Sequence, residues 1–113
     1  MSDAGTGASL AVKARAQRFR LQIPLRYRVS SDSEWRKGVT TNISYTGMLF
    51  RGEGPAELGA PIEIRLVLPS EMTKQRAAEV VCQGTVTRAE RPKGNGEAPI
   101  VATRISYYRF VRP

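Results

Sequence analysis

The sequence predicts an all-β domain, a barrel or sandwich of six short antiparallel strands, and three observations carry that reading. Apolar residues alternate with polar ones in three separate stretches, Leu21–Val29, Ile62–Leu68 and Ala78–Val86. Glycine, proline and short polar runs separate these stretches at regular intervals. No segment shows the 3.6-residue period of an amphipathic helix. At 113 residues the chain suffices for one domain with one modest core.

Residues 1–12 are rich in Ser, Gly, Ala and Thr and lack periodicity, and they read as a disordered tail before a domain spanning 13–113. The domain opens with a basic arm. Lys13, Arg15, Arg18, Arg20, Arg26 and Arg28 occur with no acidic residue among them. Within that run Leu21, Ile23, Leu25, Tyr27 and Val29 occupy every second position, the pattern of a half-buried strand with one basic face. Pro24 cannot donate to a ladder and belongs at an edge or bulge. Trp35 opens a second strand that ends near Ile43, and it reads as a plug at the barrel end or, alternatively, a stacking platform.

Tyr45-Thr46-Gly47 marks a tight turn in which Gly47 would supply a positive φ, and Met48–Arg51 is a short third strand. Gly52, Gly54, Pro55 and Gly59 punctuate a loop, Pro69 ends the fourth strand, and Ser70–Arg76 is a polar loop. Ala78, Val80, Cys82, Gly84 and Val86 share one face of a long fifth strand, with Gly84 marking a bend or bulge. Lys93-Gly94-Asn95-Gly96 is a hairpin loop, the sixth strand covers about Ile100–Ile105, and Tyr107–Phe110 form a closing aromatic turn packed on the core.

Composition narrows the chemistry. There is no histidine and only one cysteine, Cys82, so histidine-based triads, Cys-His pairs and multi-cysteine zinc sites are excluded. Cys82 reads as a small buried hydrophobe, and the expectation is a protein that is not an enzyme and needs no cofactor. Eighteen Lys and Arg against ten Asp and Glu leave a net charge of +8, which favours anionic partners. No run approaches the roughly 18 apolar residues of a membrane span, and no signal peptide is evident, so the cytoplasm is the expected compartment.

Asn42-Ile43-Ser44-Tyr45-Thr46-Gly47 fits Asn/Asp-x-Ser-x-x-Gly, a pattern that a plain strand end and hairpin turn also produces. Taken with Arg18–Arg28 before it, and with Gly59, Gly84-Thr85-Val86-Thr87-Arg88 and Ile105–Phe110 after it, the chain resembles the PilZ domain family over about Arg15–Phe110. The resemblance implies a six-stranded antiparallel β-barrel that binds cyclic di-GMP and passes that signal to a downstream protein partner. It implies ligand contacts by Asn42, Ser44 and Gly47 in the motif, and by the arm arginines Arg15, Arg18 and Arg20. An amide that pairs with a purine edge and guanidinium groups that grip phosphate suit those roles. The family's arm carries Arg-x-x-x-Arg. Here Arg18 aligns with the second arginine, while the first place holds Ala14, beside Arg15.

Three functions follow in order. The first is a cyclic di-GMP receptor module. The second is a barrel without the ligand, acting as a protein-interaction adaptor, which the missing arginine supports. The third is a nucleic-acid-binding barrel. It ranks last because the aromatics fall in the apolar phase of their strands, so no specific nucleic acid is expected.

Overall fold

The computed structural model describes residues 18–29, 34–54, 56–73, 76–90 and 98–111. Six antiparallel strands carry the fold: β1 (Pro24–Val29), β2 (Arg36–Ile43), β3 (Gly47–Gly52), β4 (Pro61–Leu68), β5 (Ala78–Glu90) and β6 (Ile100–Val111). They close into a barrel in the order β1-β2-β3-β6-β5-β4, with β4 pairing back onto β1. The expected six-stranded antiparallel barrel is the observed one. The tail at 1–12, Arg15 and the 93–96 hairpin lie outside the described residues.

Alternation places the core. Leu25, Tyr27 and Val29 of β1 face inward with Ile62, Ile64, Leu66 and Leu68 of β4, joined by Phe50, Val80, Val86 and Val101. Tyr27 is fully buried, and its ring tilts against Phe50 with centroids 4.9 Å apart. Its hydroxyl donates to the Gly54 carbonyl at 2.6 Å and accepts from the Gly54 N–H at 3.0 Å, so the phenol costs no unpaired polar atom.

Four expectations need correction. The sixth strand runs to Val111, because Tyr107–Phe110 continue the ladder with β5 (Gln83↔Tyr107 through Val80↔Phe110) instead of turning. Nor do these aromatics close the core: Tyr107, Tyr108 and Phe110 are 54%, 39% and 52% exposed. The polar loop at 70–76 begins with one helical turn, α1 (Ser70–Thr73). Trp35 is not a barrel plug; its half-buried ring lies under the Arg28 guanidinium at 4.6 Å, on the basic wall of β1. No helix among the described residues is long and apolar enough to cross a membrane.

Candidate functional site

The arm reaches the barrel through backbone pairing. Phe19 and Ile43 exchange N–H···O bonds of 2.8 and 3.0 Å, so the arm extends along the end of β2. Phe19 packs against the core as a half-buried side chain, and its neighbour Arg18 is exposed. Thr40, with no exposed surface, fastens the arm a second time. Its hydroxyl donates to the Leu21 carbonyl and accepts from the Ile23 N–H at 2.8 Å.

The motif residues owe their positions to a bulge and a turn. In β2 the register slips between Thr40 and Asn42, so Thr40 and Ile43 are both buried while Thr41 and Asn42 between them are half-exposed. Strict alternation from Thr40 would have turned Asn42 inward; the bulge re-aims it outward. Ser44 then organises the turn. Its hydroxyl accepts from the Thr46 and Gly47 amides at 3.3 and 3.1 Å and lies 3.2 Å from the Gly47 carbonyl, to which it donates. Ser44 therefore holds the loop's shape with the hydroxyl that sequence reasoning assigned to the ligand.

Gly47 serves a close approach of strands and not the positive φ expected of it. It has no positive φ; Gly59, at φ 85°, is the described glycine that does. A Cβ on Gly47 would instead stand 3.1 Å from the Thr103 carbonyl oxygen, where β3 runs close to β6.

These elements border a hollow of about 950 Å³ on the outer wall, near the upper end of the roughly 300–1,000 Å³ usual for small-molecule sites. Arg18, Asn42, Ser44 and Gly47 line it together. Arg20 is exposed and is not among the lining residues. Three further side chains come from strands that sequence reasoning did not connect to the motif: Thr87 and Arg88 of β5 and Arg104 of β6.

Arg104 arrives through the Gly47↔Arg104 pairing. A second register slip, between Val86 and Arg88, turns Thr87 and Arg88 outward together. The signal for Arg104 was its place in the outward phase of the sixth strand. Using it required knowing that the sixth strand pairs with the third.

The electrostatics are one-sided. Among the described residues three arginines line the hollow and no acidic residue does. Arg88 is held by Glu90 at 3.1 Å, whereas Arg18 and Arg104 have no carboxylate partner among the described residues. The Asn42 amide likewise makes no side-chain hydrogen bond to them. Among the described residues no group of three or more Cys, Asp or Glu gathers that could hold a metal ion. What the site offers is two guanidinium forks and a purine-competent amide over a backbone kept bare by glycine. In its chemistry that arrangement suits an anion carrying planar hydrogen-bonding groups.

Fold and hollow together define a small closed β-barrel with a basic hollow on its outer wall. Residues 14–106 match the PilZ domain, and the chain belongs to that family, a cyclic di-GMP receptor family. Two solved structures are similar. The Bacillus subtilis Inhibitor of motility (MotI/DgrA) superposes with a TM-score of 0.67 at 16% identity, a likeness of fold. It is matched over 84% of this chain but only 43% of its own length, so this chain spans less than half of that protein. The PilZ domain of CeSA from a cellulose synthesizing bacterium gives a TM-score of 0.58 at 26% identity, over 81% of this chain and 82% of that one. No curated relative matches the sequence.

Proposed function

We propose that this chain is a cyclic di-GMP receptor of the bacterial cytoplasm that signals to a protein partner by binding, without turning the ligand over. The observation that carries the proposal is the hollow itself: Arg18 and Arg104, both without a carboxylate partner among the described residues, face the same space as Asn42. Cyclic di-GMP has two phosphodiesters and two guanines. A guanidinium binds the former in bidentate fashion and stacks on the latter, and an asparagine amide pairs with a purine edge. Arg15 of the arm is the further arginine we assign to the ligand, Arg20 supplies nearby positive potential, and Ser44 and Gly47 shape the floor.

A second reading, a ligand-free adaptor, draws on one specific feature: Ala14 stands where the family's arm carries its first arginine.

Calorimetric titration with cyclic di-GMP, with GMP and cyclic di-AMP as comparators, separates the two. The receptor reading expects saturable heat with cyclic di-GMP, weakened about ten- to hundredfold by Arg18→Ala, the loss of a charge-assisted contact of roughly 1.5–3 kcal/mol. Asn42→Ala should also narrow the preference over cyclic di-AMP, because guanine edge groups lose their partner. Arg26→Ala and Arg28→Ala, on the β1 wall, should alter little beyond salt dependence. No heat from a folded sample, or equal losses from all four arginine and asparagine variants, would put the adaptor reading first.

A further inference from the structure

We propose a second binding surface, the outer edge of β6 beyond the barrel seam, and infer that it takes an extended, acidic, apolar segment of a partner protein as an added strand. It stands whether or not the hollow holds a ligand. The edge comes from a mismatch in strand length. β3 pairs with β6 only as far as Arg104, and the Ile105 N–H makes one further bond, to the Thr46 carbonyl at 2.9 Å. Beyond it, Tyr107–Val111 pair with β5 on one side, and among the described residues no strand pairs with the other. An edge of this kind presents a row of main-chain donors and acceptors that a passing strand can complete.

The side chains along the edge are those of an interface and not of a solvated rim. The pairings Cys82↔Tyr108 and Val80↔Phe110 put Tyr108 and Phe110 on the same face as buried Cys82 and Val80. There the barrel end opens into a shallow apolar cleft floored by Ile43, Leu68, Val80 and Cys82 and bordered by Tyr108. Tyr45, Tyr108 and Phe110 form a chain of ring contacts across its mouth, with centroids 6.3 Å apart at each step. These three rings are 41%, 39% and 52% exposed, in residue types that dominate binding energy at interfaces.

Charge chooses the occupant. Along the unpaired edge, Tyr107–Val111, the strand carries Arg109 and no acid, and Glu79 opposite its end lies 3.8 Å from Arg65. A second copy brings another net +8 against this one. Residues 1–17 of this chain hold one acid, Asp3, against Lys13 and Arg15, so they too lack the complement. A segment that alternates apolar with acidic residues meets all three demands. Its backbone completes the ladder, its apolar phase packs over the shallow cleft and the exposed rings, and its carboxylates meet Arg109.

The test is selection of a displayed library of random twelve-residue peptides on the full-length protein, without nucleotide. Fluorescence anisotropy of the enriched peptides then measures affinity, so failure here is separate from failure of the hollow. Enriched sequences are expected to alternate apolar residues with Asp or Glu. Their affinity should fall at least tenfold against the Tyr108→Ser/Phe110→Ser double variant and stay level against Val67→Ser, an exposed apolar residue of β4. A proline at the centre of the peptide should abolish binding to the unaltered protein, since it removes a ladder donor. Enriched peptides without acidic residues, or binding indifferent to both the double variant and the proline, would overturn the proposal. Sedimentation showing a dimer that the double variant dissociates would assign the edge to a second copy instead.

Discussion

Replacing Thr40 by Val tests whether one buried hydroxyl holds the arm to the barrel. The two side chains have nearly the same shape, so the change removes hydrogen bonding while leaving no cavity. Two bonds go: the one donated to the Leu21 carbonyl and the one accepted from the Ile23 N–H. Each contributes about 1 kcal/mol net, and a donor or acceptor left dry costs about 1–3 kcal/mol. Leu21 and Ile23 are only half-buried, so water recovers part of that penalty, and the expected loss is about 2–3 kcal/mol. That is a sizeable share of the roughly 5–15 kcal/mol that holds a small domain together. With a urea m-value of about 1–3 kcal/mol/M, the midpoint should drop by about 0.7–3 M at constant m. Amide exchange at Ile23 should quicken, and cyclic di-GMP affinity should fall as Arg18 loses its fixed base. A loss under about 0.5 kcal/mol with unchanged exchange at Ile23 would refute the reasoning. It would leave the Phe19–Ile43 pairing as the arm's anchor.

Two glycines and one thiol supply further predictions. A Cβ at Gly84 would sit 2.1 Å from the Arg104 carbonyl oxygen, so Gly84→Ala must displace backbone where β6 bulges. It should cost about 2 kcal/mol or more and lower Tm by roughly 8 °C or more in a thermal scan. Gly59→Ala meets no neighbour but inherits φ 85°, so it should cost only about 1 kcal/mol, and the same scan should rank it clearly milder. Burial pushes the Cys82 thiol up from 9.0 to about 11. A folded value above the unfolded one means this contribution is whole below pH 9 and drains away as pH rises towards 11 and beyond. Unfolding free energy should therefore fall about 2–3 kcal/mol more steeply over that range for the wild type than for Cys82→Ala. Parallel curves would show the thiolate to be no worse off folded than unfolded.

The strands were legible where one face is buried, because a period of two survives any uncertainty about partners. Leu25, Tyr27 and Val29, and Ile62 to Leu68, were placed in the core from alternation alone. Gly84 marks a bend or bulge in the sequence, and the β5–β6 register slips beside it. The site was legible in part: Arg18, Asn42, Ser44 and Gly47 do gather at one hollow. Arg88 and Arg104 were not found, because their positions depend on which strands are neighbours and on slips in register that no local pattern records. The aromatics at 107–110 misled for a related reason. Large apolar side chains near a chain end suggest a plug, yet β6 outruns its partner β3 and carries them past the core.

The order of the strands around the barrel has a bearing on how the protein is made. Remove β6 and the others form one open sheet, β3-β2-β1-β4-β5, every pairing of which is available before Ile100 leaves the ribosome. β6 is the keystone, entering last between β3 and β5 and joining edges far apart in the chain, a non-local step of the kind that slows folding. The same insertion brings Arg104 beside Gly47 and so completes the basic hollow. Until that strand pairs, the hollow lacks one of its walls, so the candidate site is assembled only by the step that closes the barrel.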